Sequence, residues 1–288
     1  MIINHNISAL NTHRQLGANT NAVSKNLEKL SSGLKINRAG DDAAGLAISE
    51  KMRGQIRGLE MATKNAQDGI SLIQTAEGAL QETHSILQRA RELAVQSAND
   101  TNITENDRQA MQEELNALLE EIDQIADRTE FNTQKLIDGS FEGKFHIGAN
   151  EGQNIDVEID AMNTSALGVN DLSVDDLEHA AGSATGTSSG GILTQSAADA
   201  AIKTFDDAIN QVSAQRAKLG AIQNRLEHTI NNLGASAENL TAAESRIRDT
   251  DMAKEMMDFT KNNILTQAAQ AMLAQANQVP QGVLQLLR

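Results

Sequence analysis

Apolar residues between positions 202 and 247 recur in alternating steps of three and four. The positions in this stripe are Ile202, Phe205, Ile209, Val212, Arg216, Leu219, Gln223, Leu226, Ile230, Leu233, Ala237, Leu240, Glu244 and Ile247. A seven-residue repeat of this length predicts one long helix whose apolar stripe packs against other helices. At about 1.5 Å per residue the helix would be roughly 70 Å long, so we expect a rod.

Two other parts of the chain carry the same repeat. The longer runs through Ile56, Leu59, Thr63, Ala66, Ile70, Ile73, Glu77, Leu80, His84, Leu87, Arg91, Ala94 and Ala98, and the shorter through Met111, Leu115, Leu118, Ile122 and Ile125. Helices from both halves of the chain can therefore bury one another's stripes. We expect the polar stripe residues to help fix the helix register. These are Glu77, His84, Arg91, Arg216 and Gln223.

A different pattern separates the helical halves. Apolar residues alternate with polar ones at Phe145, Ile147, Ile155, Val157 and Ile159, which predicts one β-hairpin with one buried face. The fold class is therefore mainly α, with long antiparallel coiled-coil helices from both chain halves and a small β-hairpin.

Residues 161–199 have no clear period and include a Gly- and Ser-rich run at 182–191. No lysine follows these glycines at the spacing of a phosphate loop, which favours a short outer loop over a nucleotide site.

The first two helices are separated by a basic break between Gly33 and Gly40. Asp41 or Asp42 is placed to cap the next helix. A calcium loop is disfavoured because the EF-hand spacing and its closing Glu are missing.

The two ends of the chain are almost free of charge. No charged side chain occurs between Asn262 and Leu287, and Arg14 is the only full charge before Lys25. Such a segment is too polar to span a membrane and too uncharged for a helix exposed to water. We therefore expect both ends to be helices that are buried among other copies in an assembly.

Composition narrows the function classes. The 288 residues include no Cys, Trp or Tyr and carry a net charge of −15. This composition excludes disulfides, thiolate metal sites and Cys nucleophiles, and the negative charge disfavours nucleic-acid binding. The chain contains no apolar stretch of about 20 residues, so no membrane-spanning helix is predicted. Residues 1–24 lack the pattern of a cleavable signal peptide.

Catalysis is disfavoured as well. The six histidines are scattered, and Leu177–Ala180 lacks the second His of a zinc-protease motif. Glu113, Glu114, Glu120 and Glu121 follow a helical period and are typical of a solvated face. We predict no enzyme activity, no cofactor and no metal site.

Several segments together resemble those of the bacterial flagellins, which build the flagellar filament. The matching segments are Ile7–Asn11, Leu30–Ile48, Gln88–Asn99, Phe131–Asn132, Leu240–Ala253 and Val283–Arg288. They lie within about residues 1–140 and 200–288. The middle departs from the pattern, because the large outer domains of many flagellins are replaced by residues 161–199 alone.

The resemblance implies a self-assembling, extracellular filament subunit for swimming motility, secreted through the flagellar type III export apparatus. It divides the chain into terminal segments 1–40 and 250–288, which form an inner coiled coil and are disordered in the monomer, a helical rod with hairpin at 41–160 and 200–249, and an outer loop at 161–199. The implied partners are other copies of the chain, an export chaperone, the hook-junction and cap proteins, and the innate Toll-like receptor for flagellin.

Two sets of site residues follow. The resemblance places receptor contacts at Arg89, Leu93 and Glu114, and we expect Leu93 to be an exposed packing anchor. From the residues alone, salt bridges are the favoured explanation of Arg89 and Arg91, whereas the resemblance favours a receptor contact for Arg89. The filament-assembly residues are apolar positions at the two ends: Ile7, Leu10, Leu27, Leu30, Ile264, Leu265, Met272, Leu273, Leu286 and Leu287.

Two alternative functions stay open at this stage. An intracellular coiled-coil adaptor would explain the heptads and the acidity, but not the two matched, uncharged ends. A hook-filament junction protein shares ends of this kind and is the closer alternative.

Overall fold

A computed structural model of the chain describes residues 6–100, 104–174 and 191–286, with side chains up to residue 278. Five long helices lie in this part of the chain: α1 (Ile7–Ser32), α2 (Ala43–Ser97), α3 (Glu105–Arg128), α4 (Gln195–Arg248) and α5 (Met252–Leu286). Short strands pair antiparallel as β1 (Glu130–Phe131) with β2 (Gln134–Lys135) and β3 (Glu142–His146) with β4 (Asn154–Glu158). A 3₁₀ turn spans Asn170–Leu172. The predicted mainly α fold is confirmed.

The chain divides into two compact units. One comprises residues 58–236, and the other comprises residues 1–57 with 237–288. The predicted domain division at residues 40, 160, 200 and 250 stays a prediction.

The core of the 58–236 unit confirms half of the predicted stripes. Between 66 and 94 on α2 and between 205 and 233 on α4, every seventh residue is buried at the expected positions. These are Phe205, Val212, Leu219, Leu226 and Leu233 on α4, and Ala66, Ile73, Leu80, Leu87 and Ala94 on α2.

The other half of each stripe lies one residue away from the predicted position. The predicted Ile70, Ile202 and Ile209 are only half-buried, whereas the residue before each of them is buried. Small residues dominate this second row on α2, and at Gly69 the ring of Phe145 in β3 occupies the space that a larger side chain would need. On α2 the row is Ala62, Gly69, Ala76, Thr83, Ala90 and Ser97, and on α4 it is Ala201, Ala208, Gln215 and Ile222.

The polar stripe residues divide into two groups. Arg216 contacts Glu77 at 3.6 Å and Arg91 contacts Asp206 at 2.5 Å, so these pairs link α2 to α4 as expected. The other two polar residues hydrogen-bond along their own helices instead: His84 to Gln88 at 3.0 Å, and Gln223 to Glu227 at 3.1 Å.

The predicted hairpin is present as β3 and β4. Phe145 pairs with Ile155, and the buried face consists of Ile155, Val157 and Ile159. The smaller β1–β2 hairpin was not predicted. Its two-residue turn places Asn132 at φ 50° and Thr133 at φ 66°. Positive φ at both central positions is the geometry of a type I′ turn, for which Asn-Thr is a weak sequence signal.

The described parts of 161–199 are not a loose loop. Met162, Leu167, Val169, Leu172 and Ile192 are buried, and α4 begins at Gln195 rather than at residue 200. Most of the Gly- and Ser-rich run, residues 182–190, lies outside the described residues.

The buried Gln112 of α3 hydrogen-bonds to Leu172 and Ile192, which lie on either side of residues 175–190. Its amide donates to the carbonyl of Leu172 at 2.8 Å and accepts from the N–H of Ile192 at 2.6 Å. Asn116, one turn further along α3, donates to the carbonyl of Val174 at 2.8 Å.

Candidate assembly and recognition surfaces

Helices α1 and α5 pack against each other in the unit formed by the two chain ends. Among the described side chains of this pair, the buried ones are small or polar, namely Thr12 and Asn26 on α1, and Ala269 and Ala276 on α5. The Thr12 hydroxyl donates to the Ala9 carbonyl of its own helix at 2.9 Å, so the side chain needs no polar partner on α5. Helices that meet through such residues can lie close together, but they bury little apolar surface.

Several large apolar residues of this pair are exposed. The exposed fractions are 63% for Ile7, 72% for Leu10, 56% for Leu27, 60% for Ile264, 42% for Leu265 and 60% for Met272. We call these six residues the terminal apolar surface. All six belong to the predicted assembly set.

The remaining assembly residues are placed differently. Leu30 and Leu273 are half-buried within the unit. The side chain of Leu286 and the whole of Leu287 lie outside the described part of the chain.

Asparagines connect α1 to α5 at both ends of α1. The Asn6 amide donates to the carbonyl of Ala276 at 2.8 Å. Asn26 is assigned in the amide orientation that satisfies its neighbours. In that orientation it donates to the carboxylate of Glu255 and accepts from the amide of Asn262, each at 3.1 Å.

The segment between α1 and α2 is hydrogen-bonded to the segment between α4 and α5. Lys35 N–H donates to the carbonyl of Arg248 at 2.7 Å, and Thr250 N–H donates to the carbonyl of Gly33 at 3.0 Å. Gly33 has φ 72°, a left-handed conformation that glycine adopts without strain.

The two aspartates of the break have separate roles. Asp42 accepts from the N–H of Gly45 at 2.9 Å, as expected of a helix cap. Asp41 accepts from the N–H of Arg38, and this hydrogen bond lowers the pKa of the Asp41 carboxyl.

The predicted receptor residues lie in the 58–236 unit, where α2 meets α3. Arg89 contacts Glu114 at 2.8 Å and Glu92 at 3.3 Å, and its side chain stays 50% exposed. Hydrogen bonding to Glu114 is the main cause of the raised pKa of Arg89. The salt-bridge interpretation is therefore correct for Arg89, which pairs with Glu114, as it is for Arg91.

The expectation that Leu93 is exposed is wrong. Leu93 is 1% exposed and belongs to the core of the unit. The physical reason is its place on α2, one residue before Ala94 and three after Ala90, both of which are fully buried. Arg89 and Glu114 thus form a charged surface above a buried leucine.

The described residues give no sign of catalytic or metal chemistry. Within residues 6–100, 104–174 and 191–286, no group of three or more His, Cys, Asp or Glu side chains is placed to hold a metal ion. Glu113, Glu114, Glu120 and Glu121 are all exposed, which confirms the solvated face of α3. Among the described helices, none is long and apolar enough to cross a membrane.

Comparison with known proteins decides the family. The profile of the bacterial flagellin N-terminal helical region matches residues 3–142, and that of the bacterial flagellin C-terminal helical region matches residues 202–287. The flagellin of Bacillus subtilis (strain 168) is 62% identical over 310 aligned residues, with 100% of both chains covered. The chain belongs to the bacterial flagellin family.

Other relatives agree with this assignment. A flagellin of Halalkalibacterium halodurans is 58% identical, and the flagellar filament 33 kDa core protein of Treponema phagedenis is 52% identical, each with full coverage of both chains. A putative flagellar hook-associated protein from Vibrio parahaemolyticus has a similar structure, with a TM-score of 0.59. It is 14% identical, and the match covers 73% of this chain and 100% of that one, so it shows the shared fold alone.

As a flagellin, the chain is a structural subunit of the extracellular flagellar filament, a homopolymer. The hook-junction and adaptor alternatives are therefore disfavoured. Family membership gives a context for the terminal apolar surface, since a polymer offers neighbouring copies that can cover it.

Proposed function

We propose that this flagellin polymerises by burying the terminal apolar surface of each subunit against neighbouring copies. The observation that carries the proposal is the inverted distribution of side chains on α1 and α5. Among the described side chains of the two helices, the fully buried ones are small or polar, whereas six large apolar residues are 42–72% exposed. Scattered exposed apolar residues are common on proteins, but all of these except Leu27 lie in the two stretches, 1–24 and 262–287, that contain almost no charge.

The energetic argument favours an assembled state. Fully burying one such side chain contributes about 1.5–3 kcal/mol, so six per subunit supply a substantial driving force. Association costs several kcal/mol of lost translational and rotational freedom, which this burial can exceed. The Gln and Asn residues of α5 can satisfy one another across an interface, whereas an unpaired charge there would be costly.

We also propose that the chain ends gain their full stability only on assembly. Among the side chains described up to residue 278, the α1–α5 contact fully buries few, and none of those is a large apolar residue. The 58–236 unit, in contrast, has an extensive core of fully buried leucines, isoleucines and Phe205. Trypsin should therefore trim the free subunit to roughly residues 50–250 at low protein concentration. Full protection of both ends under those conditions would contradict this part of the proposal.

Electron microscopy tests polymerisation. Concentrated protein should form long filaments that are sedimented by ultracentrifugation, and dilution should return monomers. Discrete oligomers of fixed size would contradict the proposal and favour a junction-type protein.

We infer a second role for the charged surface formed by Arg89 and Glu114, namely recognition by the innate Toll-like receptor for flagellin. The support is that both charges are about half-exposed and lie on adjacent helices, with side chains held in place by their ion pair. Leu93 is too buried to be a direct contact and supports the surface from below.

The test of receptor recognition compares Arg89→Ala and Glu114→Ala with the parent at limiting dose. Both should signal less, and their unfolding should be nearly unchanged because exposed ion pairs contribute little stability. Lys135→Ala is a matched control, since it removes another exposed ion pair of the same unit, with Asp127 at 2.7 Å. Equal signalling by all four proteins would contradict the receptor role.

The remaining partners concern export and filament ends. We propose that an export chaperone covers the C-terminal region before assembly, and that hook-junction and cap proteins contact the same ends in the filament. The exposed apolar residues of α5 give a chaperone a surface to bind. A chaperone that binds the chain equally well after removal of residues 250–288 would contradict this.

A further inference from the structure

We propose that Asn26, with Asn6, sets the register of α1 against α5, and that this register is what aligns the terminal apolar surface for polymerisation. The inference rests on the proposed assembly function and adds a specificity role for two polar residues. Neither residue belongs to the apolar set expected to drive assembly.

The contacts between the helices define one antiparallel register. Asn6 donates to the carbonyl of Ala276, and Asn26 contacts Glu255, Phe259 and Asn262 along α5. The two residue numbers add to 282 for the Asn6 pair and to 281, 285 and 288 for the three Asn26 pairs, so both asparagines fit one antiparallel alignment to within two helical turns. The asparagines lie near the two ends of α1, about 30 Å apart.

Two kinds of contact bear on this alignment. A shift of α5 by four residues would bring Leu265 or Leu273 to the level of the buried Ala269, so the small residues disfavour a slip. The polar contacts add a second selection, because each requires a partner at a particular position.

Asn26 has the properties of a register determinant. It is 9% exposed, and its amide meets both the carboxylate of Glu255 and the amide of Asn262 at 3.1 Å. A shift by one turn moves Asn26 about 5.4 Å along α5 and leaves a buried amide without these partners. A single buried Asn is known to specify register in coiled coils in this way, at some cost in stability.

The consequence for assembly is geometric. Leu10 and Leu27 lie on α1, while Ile264, Leu265 and Met272 lie on α5, so the terminal apolar surface is composite. If α5 slips by a turn, its part of the surface moves about 5.4 Å relative to the part on α1. A neighbouring copy that fits one arrangement cannot fit the other, and a mixture of registers should slow or stop growth.

The experiment uses Asn26→Leu in the full chain, which keeps a side chain branched at the same carbon and removes the polar contacts. Asn21→Leu is the matched control, because Asn21 is an exposed asparagine on the same helix. Glu255→Gln is the conservative variant, since a glutamine oxygen can still accept from Asn26. We expect the critical concentration for polymerisation to rise about tenfold for Asn26→Leu alone, corresponding to about 1.4 kcal/mol per subunit.

Register is read directly by spin labels. The chain contains no cysteine, so Thr20→Cys and Gln275→Cys introduce two unique labelling sites, both at exposed positions. The sites are offset by about 20 Å along the helices, so a slip changes their separation by nearly its full length. Labelled subunits are diluted into filaments of the unlabelled parent, and their label-to-label distance is measured by pulsed dipolar spectroscopy.

The outcomes separate the two proposals. The parent, Asn21→Leu and Glu255→Gln should each give one distance. Asn26→Leu should give a second population of label-to-label distances, about 5 Å away from the first. Alternatively, it should be excluded from filaments although the free energy of unfolding of its 58–236 unit equals that of the parent. Entry into filaments equal to that of Asn21→Leu, with one unchanged distance, would overturn the register role and leave assembly intact. Failure of the parent to polymerise would instead contradict the proposed function.

Discussion

Leu10 offers the sharpest test of the assembly surface, because its side chain is the most exposed of the terminal apolar residues. We predict that Leu10→Lys abolishes polymerisation and leaves the free subunit almost unchanged. Leu and Lys have nearly the same helix propensity, and a side chain that is 72% exposed can carry a charge into water. The free energy of unfolding of the subunit should therefore change by less than about 0.5 kcal/mol.

In the filament the same change acts on a covered position. The lysine forfeits about 1–2 kcal/mol of apolar burial, and it adds the cost of a charge without a partner, which is several kcal/mol when buried. Even a combined penalty of about 3 kcal/mol lowers each association constant by more than about a hundredfold. Leu273, which is half-buried within the subunit, is a less clean position for this test than Leu10.

The assay is sedimentation of polymer at increasing protein concentration, with circular dichroism of the unpolymerised protein. Leu10→Met is the control, because it keeps an apolar side chain of similar size and the same helix propensity. It should polymerise like the parent. Normal filaments from Leu10→Lys would refute the reasoning, since they would show that Leu10 faces water in the polymer.

Three further predictions concern the 58–236 unit. Leu93→Ala should destabilise it by about 2–5 kcal/mol in denaturant unfolding, because a fully buried leucine is truncated, so any signalling defect of this variant must be separated from unfolding. Gln112→Leu should cost about 3 kcal/mol in the same assay, since Leu172 and Ile192 lose their buried hydrogen-bond partner; a neutral result would show that the flanks of 175–190 are held by other contacts. Hydrogen bonds from the N–H and hydroxyl of Thr104 lower the pKa of Asp107, so this group stabilises the fold above its unfolded pKa and loses that contribution as pH falls through the folded pKa. Thr104→Ala should raise the Asp107 pKa toward its ordinary value in an NMR titration, and an unchanged value would contradict the hydroxyl's role.

The helices could be predicted from the sequence because a seven-residue repeat is a strong and redundant signal. Phe205, Leu219 and Leu226 are buried as the repeat requires. The second row of each stripe was misplaced by one residue because large apolar side chains were followed. Ile209 and Ile70 are half-buried, whereas Ala208 and Gly69 before them are buried, and Gly69 lies against the ring of Phe145 in β3. Size, rather than hydropathy, decides which residue fits where a packed neighbour leaves little room.

The same reasoning explains the error at Leu93. Leu93 was expected to be exposed because the resemblance placed it with Arg89 and Glu114 among the receptor contacts. The small residues Ala90 and Ala94 define the buried direction of α2, and Leu93 lies between them. The predicted stripe did not include the second row of small residues, so it did not define the buried face of α2 well enough to show that Leu93 belongs to it.

The uncharged ends were informative for a different reason. A long segment without charge indicates a buried environment, which a single copy of the chain does not provide for its ends. This pattern drew attention to apolar residues of the ends that the structure shows to be exposed. The polar contacts of Asn6 and Asn26 could not be found in this way. An asparagine that pairs across two helices has no sequence signal that separates it from one that faces solvent, such as Asn21.

Oxidation of Met272 most directly tests the central claim that neighbouring copies bury the terminal apolar surface. It measures the accessibility of one residue of that surface without any substitution in the chain. Met272 is 60% exposed in the single subunit, whereas Met111 is 7% exposed and serves as the internal reference. Dilute hydrogen peroxide converts accessible methionine to its sulfoxide, which mass spectrometry quantifies at each residue. We predict that polymerisation lowers the oxidation rate of Met272 at least about tenfold and leaves the slow rate of Met111 unchanged. Equal rates for Met272 in monomer and filament would contradict the account.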